Sequence, residues 1–182
     1  MLYFVTGNPG KLAEIKSLLP EVEQLDIDLT EIQDIDARNI IREKLTEARR
    51  HQKGELLVED TSLYLDCLNG FPGPLIKWLL GSIGDAGIFE LAQRMGNDGA
   101  QAKTFIGHVD EHGTVSLFEG VLRGRIVKPH GEQGFGWDRI FQPEGTERTF
   151  AAMSATEKNS ISMRRRALEA FLDWFRTRPA TH

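Results

Sequence analysis

The sequence has little cysteine and no long apolar run, and both absences exclude whole classes of protein. Cys67 is the only cysteine among 182 residues, so no disulfide can form within the chain, and we expect a reducing compartment. Met1–Val5 is apolar but too short for the core of an export signal, and no stretch is long enough to span a bilayer. These absences predict a cytoplasmic protein with no membrane partner.

An excess of positive charge is missing as well. The 22 Lys and Arg are outnumbered by 27 Asp and Glu, which gives a formal net charge of −5. A dedicated nucleic-acid-binding protein usually presents a basic face, so we expect no nucleic-acid partner, although a local group of cations can still attract a small anion. The composition is typical of a globular protein, and its length suits one domain over residues 1–182.

What is present is a regular alternation of apolar runs and helical spacings. Leu2–Thr6 has the pattern of a buried strand. A helix over Lys11–Leu19 should follow, with Asn8 as its N-cap and Pro9 as its first residue. Val22–Leu29 alternates as a second strand would. Strand, turn and helix thus open the chain.

The later part of the chain adds further helices and a long hairpin. The same patterns predict helices over 37–48, 75–80, 86–95 and 160–175, and strands over 56–58, 105–110 and 115–127. Strands alternate with helices first and then form a hairpin, so we predict an α/β fold with a mixed central sheet.

Four segments carry residues suited to chemistry. The first, Thr6–Lys11, is a glycine turn between a strand and a helix, where free N–H groups, the helix dipole and a lysine can attract an anion. Its spacing differs from that of a Walker A loop. An ordinary strand-to-helix turn explains this segment equally well when it is taken alone.

The second segment is Glu59-Asp60-Thr61, which we place at the carboxyl end of the strand 56–58, where ligands of α/β sheets gather. Because adjacent residues of a strand point to opposite faces, only one of the two acids is expected to bind Mg²⁺ or orient a water molecule. A surface turn is the competing interpretation.

The third and fourth segments suit a nucleobase. Gly134–Asp138 interleaves two aromatic residues and an acid with glycines, as a loop that stacks on a base would, although large aromatic residues more often lie in a core. Glu157–Arg166 places Lys158 and Arg164 at a helix start, where cations oppose the dipole and need an anion or a carbonyl nearby.

Together and in this order, the motifs resemble the inosine triphosphate pyrophosphatase family, whose members hydrolyse non-canonical purine nucleoside triphosphates. The similarity runs from Phe4 to about Phe175. The matching stretches are Thr6-Gly7-Asn8 with Lys11, Val58–Thr61, Phe71–Trp78, Phe135–Asp138 and Glu157–Asn159.

The resemblance implies a fold of two lobes around a deep active-site cleft, a homodimer, and hydrolysis of ITP, dITP and XTP to monophosphate and pyrophosphate with Mg²⁺ as cofactor. Residues implied to bind the triphosphate are Thr6, Gly7, Asn8, Pro9, Gly10, Lys11, Lys44 and Lys77. Those implied to bind Mg²⁺ are Glu31 and Asp60, and Asp60 would also activate the attacking water. Residues implied to hold the nucleoside are Thr61, Phe135, Gly136, Trp137, Asp138, Lys158, Met163 and Arg164, with Phe135 stacking on the base.

The sequence departs from the family pattern at one position of the site. Ser162-Met163-Arg164 stands where the family usually has Ser-His-Arg, so a possible hydrogen-bond donor near the base is replaced by a thioether. Two other functions stay open at this point. One is a Maf-type nucleotide pyrophosphatase with other substrates, and the other is a nucleotide-binding module without catalysis.

Overall fold

A computed structural model describes residues 1–178 of the chain. The strands are β1 (Leu2–Val5), β2 (Glu23–Leu25), β3 (Glu55–Leu65), β4 (Pro72–Gly73), β5 (Gly99–Val109), β6 (Val115–Ile126) and β7 (Phe141–Pro143). The α-helices are α1 (Pro9–Lys16), α2 (Ala37–His51), α3 (Ile76–Arg94), α4 (Ala155–Ile161) and α5 (Met163–Thr177). None of these helices is long and apolar enough to cross a membrane.

The strands form one mixed sheet of seven strands in the order β2-β1-β3-β5-β6-β7, with β4 beside β3. β1 runs parallel to both β2 and β3. The pairs β3–β5, β5–β6 and β6–β7 are antiparallel. The predicted fold class, a mixed central sheet flanked by helices, is therefore confirmed.

The core lies on both faces of this sheet and is divided along the long strands. Near β1, apolar residues of α1 and α5 pack on one face, around Leu57 and Ile106. Residues of α2 pack on the opposite face, around Val58 and Phe105. The far halves of β3, β5 and β6 pack instead against α3 and a cluster that includes Trp137. This division of the core gives the two lobes.

Several predicted boundaries are wrong because pairing between distant segments decides them. β3 continues to Leu65 since it pairs with β5 in an unbroken register, so Glu59-Asp60-Thr61 lies within the strand and not at its end. β2 is limited to three residues, those paired with β1. By contrast, the two helices predicted over 75–80 and 86–95 are both present within α3, on either side of a kink at Gly84, whose backbone angles are not helical.

The helix predicted to begin at Ser160 is interrupted at Ser162, which has extended backbone angles. Its side chain caps α5 by accepting a hydrogen bond from the Arg165 N–H, and α5 begins at Met163. The break matters for the site because it turns Met163 and Arg164 toward the sheet, where both are buried.

Candidate active site

The turn Thr6–Lys11 connects β1 to α1, as predicted, and Asn8 is the N-cap of the helix. The Asn8 Oδ1 accepts hydrogen bonds from the N–H groups of Gly10 and Lys11, at 2.9 and 3.2 Å. Pro9 has no N–H. The N–H groups of Gly10 and Lys11 are therefore not free to bind an anion, and that expectation is wrong for these two residues. The start of the helix can still attract an anion through the helix dipole and the charge of Lys11.

The Lys11 side chain turns toward β3 and meets the buried carboxylate of Glu59, with 2.6 Å between Nζ and Oε1. On its other side Glu59 accepts a hydrogen bond from Arg164 Nε at 2.5 Å. Arg164 also donates from Nη1 to Glu14 of α1, at 2.6 Å. A buried ion cluster thus joins α1, β3 and α5.

The charges of this cluster fix each other's protonation. Burial alone would raise the pKa of Glu59, but Arg164 and Lys11 beside it lower that pKa to about 2. Burial works against the charge of Arg164, yet Glu59 and Glu14 hold its pKa above the ordinary value. Glu59 and Arg164 are therefore charged at neutral pH, and the cation predicted to need an anion at the start of α5 is paired with two carboxylates of the protein.

Asp60 points to the opposite face of the sheet, as strand geometry predicts, and meets Lys44 of α2. The Lys44 Nζ lies 3.5 Å from Asp60 Oδ1 and 2.7 Å from Glu31 Oε1. Burial lowers the pKa of Lys44, but Asp60 and Glu31 outweigh that effect and raise it. Two carboxylates thus converge on one cationic point.

These two carboxylates were the predicted Mg²⁺ ligands, and their chemistry fits that ion. Within residues 1–178, no group of three or more His, Cys, Asp and Glu side chains is arranged to hold a metal. Mg²⁺, however, is commonly bound by one or two carboxylates together with phosphate oxygens of a substrate. Glu31 and Asp60 therefore suit a magnesium ion that arrives with a phosphate ligand.

A polar cleft of about 470 Å³ opens between the β1–α1 turn, the segment before α2 and the start of α3. Of the predicted triphosphate and metal ligands, those that line it are Thr6, Gly7, Asn8, Lys11, Glu31, Lys44 and Lys77. Asp60 does not line the cleft itself, but its carboxylate lies 3.5 Å from Nζ of Lys44, which does. The cleft therefore combines three lysines with an acidic pair, a suitable place for a metal-bound polyphosphate.

The side chain of Asp138 stabilises the loop Gly134–Asp138. The Asp138 Oδ2 accepts hydrogen bonds from the Phe135 N–H at 2.9 Å and from Lys158 Nζ at 2.5 Å. Lys158 also lies over the ring of Phe135, 5.0 Å from its centroid. Asp138 thus positions an aromatic ring and an ammonium group next to each other.

The two aromatic residues of this loop have different roles. Phe135 is 56% exposed, so one face of its ring is available to a ligand, as the stacking prediction requires. Trp137 is 8% exposed and packs edge-to-face on Phe141, so it belongs to the core. Met163 is 3% exposed and packs in the same cluster.

Two smaller cavities flank Phe135. One, of about 120 Å³, is lined by the predicted nucleoside ligands Thr61, Phe135, Gly136, Trp137, Asp138, Lys158, Met163 and Arg164, together with Lys11. The other, of about 240 Å³, is mostly apolar and includes Phe150 and Met153. Lys11 lines both the 120 Å³ cavity and the polar cleft, so the two halves of the predicted site adjoin each other.

Some residues of the site were missed from the sequence. Glu14 is buried and bonds both Arg164 and the hydroxyl of Ser162, which donates to Glu14 Oε1 at 2.6 Å. Its position four residues before Leu18, on the inward side of α1, is the signal that could have identified it. Gln33, which lines the cleft, gave no signal in the sequence.

Comparison with known proteins gives the family. The model of the Ham1 family matches residues 2–174. The chain is 42% identical to an inosine triphosphate pyrophosphatase of Schizosaccharomyces pombe over 167 residues, which cover 90% of this chain and 88% of the relative. It is 38% identical to a dITP/XTP pyrophosphatase of Methanopyrus kandleri, with 97% of both chains covered.

Solved structures of related proteins have the same fold. The Ham1 protein of Staphylococcus aureus superposes with a TM-score of 0.81 at 25% identity, and the match covers 97% of this chain and 98% of that one. A HAM1 protein of Coxiella burnetii gives 0.80 at 28% identity, over 98% of this chain and 100% of that one. The resemblance found in the motifs is confirmed, and the chain belongs to the Ham1 family.

Proposed function

We propose that the chain hydrolyses non-canonical purine nucleoside triphosphates, namely ITP, dITP and XTP, to the monophosphate and pyrophosphate. The observation that carries this proposal is the arrangement of the site, where a cleft with three lysines adjoins a cavity with an exposed aromatic ring. Relatives named inosine triphosphate pyrophosphatase and dITP/XTP pyrophosphatase, at about 40% identity, support the substrate class.

The reaction requires positive charge at the leaving group. Attack of water on the α-phosphorus expels pyrophosphate, whose developing charge falls on the β- and γ-phosphates. Lys11, Lys44 and Lys77 line the cleft that would hold these groups. Asp60, which is partly exposed beside Lys44, would accept the proton of the attacking water.

Glu31 and Asp60 would hold Mg²⁺, because their carboxylates already converge on one cationic point at Lys44. When bound, the ion neutralises phosphate charge and lowers the barrier to expulsion of pyrophosphate. The ammonium group of Lys44, which contacts both carboxylates, would add a further positive charge at this place.

Base selection would depend on donors near Phe135. The ammonium group of Lys158 lies over that ring and could donate to the 6-keto oxygen of hypoxanthine or xanthine. Adenine presents an amino group there, so a buried donor would be left unpaired at a cost of roughly 1–3 kcal/mol. Arg164 lines the same cavity, but Nε and Nη1 already donate to Glu59 and Glu14, so we propose that it holds the cavity wall.

We further propose a cytoplasmic homodimer, as the resemblance implies. Large apolar side chains remain exposed in the single chain, among them Phe71, Ile83 and Met95 at 47, 44 and 52%. Covering such side chains with a second copy would remove apolar surface from water. Light scattering at several protein concentrations measures the mass and tests the dimer.

The activity is tested with a panel of ITP, dITP, XTP, ATP, GTP and modified pyrimidine triphosphates in Mg²⁺, with chromatographic separation of the products. We expect IMP and pyrophosphate from ITP and little product from ATP. IDP and orthophosphate as first products would overturn the proposal. Preference for modified pyrimidines would identify a Maf-type enzyme, and binding without product would identify a nucleotide-binding module.

A further inference from the structure

One hydrogen bond joins two elements beside the polar cleft. The indole Nε1 of Trp78, on α3, donates to Oε1 of Gln33 at 2.5 Å. Gln33 lies in the segment 26–36, which connects β2 to α2 without helix or strand. The amide nitrogen of the same side chain donates to the carbonyl of Glu31, at 3.5 Å. Gln33 therefore joins the backbone at Glu31 to the start of α3.

The neighbours of this pair are the groups that line the cleft. Lys77 precedes Trp78 on α3, and Glu31 lies two residues before Gln33. Glu31, Gln33 and Lys77 all line the same cleft. Trp78 itself is 58% exposed, so burial in the core does not account for a tryptophan here.

We propose that Gln33 and Trp78 are a positioning pair for the triphosphate. The bond between them ties the Glu31 segment to α3 and holds Glu31 and Lys77 at a fixed separation across the cleft. Neither side chain needs to touch the reacting atoms. This inference rests on the proposed function, because it assigns the pair to the triphosphate half of that site.

The expected effect is specific to the phosphate half. Loss of one exposed hydrogen bond should raise the KM for ITP by about three- to tenfold, which is the range of a net hydrogen bond. The value of kcat should change by less than about twofold. The lost hydrogen bond weakens binding of the substrate and of the transition state equally, and such a loss raises KM without changing kcat. Inhibition by IMP should be unchanged, since its base and ribose belong to the Phe135 cavity.

The test uses variants that remove the hydrogen bond between Gln33 and Trp78 and leave the fold intact. Trp78→Phe removes the donor and keeps an aromatic ring, and Gln33→Leu removes the acceptor. The double variant should be no worse than either single one, because both remove the same bond. Gln93→Leu, an exposed change at the other end of α3, is the matched control and should behave as the wild type.

Three results would overturn the pairing: an unchanged KM in both single variants, additive losses in the double variant, or an equal loss of IMP binding. Failure of the proposed function is distinguishable, because the wild type would then not convert ITP. In that case calorimetry with inorganic tripolyphosphate and Mg²⁺ still compares the wild type with Gln33→Leu. Weaker binding by Gln33→Leu supports the pair, and equal binding overturns it.

Discussion

Glu59 and Asp60 are adjacent acids whose surroundings make them chemically different. Glu59 is enclosed by Lys11 and Arg164, and its two oxygens are both taken by cations. Asp60 accepts a hydrogen bond from Ser62 at 2.9 Å and shares Lys44 with Glu31. Glu59 lines the polar cleft, but its side chain is only 2% exposed, whereas that of Asp60 is 17% exposed beside Lys44. Glu59 is therefore suited to a structural role and Asp60 to a catalytic one.

Substitution should separate the two roles. Asp60→Asn should keep the fold and lose turnover of ITP by about 10²–10⁴-fold, the usual contribution of a general base. Glu59→Gln should instead destabilise the protein by about 3–5 kcal/mol, because it leaves buried Arg164 and Lys11 short of a partner. Urea unfolding and initial rates on both variants measure this. A stable Glu59→Gln protein without activity, beside an active Asp60→Asn protein, would reverse the assignment.

Met163 allows a test of base selection. Its buried side chain lines the 120 Å³ cavity together with Phe135 and Lys158. Met163→His introduces a donor at that wall and should widen the preference for ITP over ATP by up to about tenfold, the effect of one hydrogen bond at roughly 1.4 kcal/mol. The ratio of kcat/KM for ITP and ATP is measured in both proteins. An unchanged or smaller ratio would assign the selection to Lys158 and the Phe135 loop.

At the scale of elements, the approach of α5 to the sheet decides where Arg164 lies. Gly120 of β6 faces the first turn of α5. A Cβ at Gly120 would come within 1.9 Å of the Met163 carbonyl oxygen and 2.5 Å of the Ala167 nitrogen. Because both are backbone atoms of α5, only glycine permits this contact. The close approach lets Arg164 reach Glu59 across the sheet.

Gly120→Ala should therefore destabilise the protein by about 1–3 kcal/mol, the usual cost of overpacking, and reduce the activity as α5 moves outward. Gly81→Ala is the matched control, since Gly81 is exposed in α3 and a Cβ there meets nothing within 4 Å. That change should stabilise the helix by up to about 1 kcal/mol. Thermal unfolding of both variants is sufficient, and equal stabilities would contradict the close contact as the reason for glycine.

Elements could be predicted from the sequence where local signals decide them. The cap by Asn8 and the helix after it follow from a short-range pattern, and the structure has both. The unbroken course of β3 through Glu59-Asp60-Thr61 could not be predicted, because it depends on pairing with β5, some 45 residues away along the chain. The same holds for the site. The motif residues converge, but the pairing of Arg164 with Glu14 joins helices 150 residues apart and leaves no local trace.

At the scale of the whole molecule, the sheet connects parts of the chain that lie far apart in sequence. His108 of β5 is fully buried, and its Nε2 lies 2.7 Å from Oε2 of Glu55 on β3. Arg178, after α5, forms two hydrogen bonds to the same carboxylate, at 2.6 and 2.9 Å. The rings of Phe171 and Trp174 of α5 pack around the imidazole. This contact fixes the last helix to the two central strands.

The buried imidazole should make the stability depend on pH. Burial lowers the pKa of His108 from 6.5, and Glu55 opposes this only in part. Among residues 1–178, Nδ1 has no hydrogen-bond partner, which also disfavours the protonated ring. Between the lowered pKa and 6.5 the unfolded chain binds more protons than the folded one. The contribution of His108 is therefore complete above the unfolded pKa and is lost as the pH falls toward the folded one.

We expect the free energy of unfolding in urea to decrease from about pH 7.5 to about pH 5.5, a range around the ordinary pKa of histidine. His108→Gln, which can still donate to Glu55 but does not titrate, should flatten this profile. His130→Gln is the control, because His130 is exposed and should leave the slope as in the wild type. Against the effect of burial, Arg178 and His108 lower the pKa of Glu55, so its contribution is lost as the pH falls from its ordinary value of 4.5 toward the folded value, outside this window. Equal slopes in the wild type and His108→Gln would show that the buried imidazole is not the group that titrates, because no other change separates those two proteins.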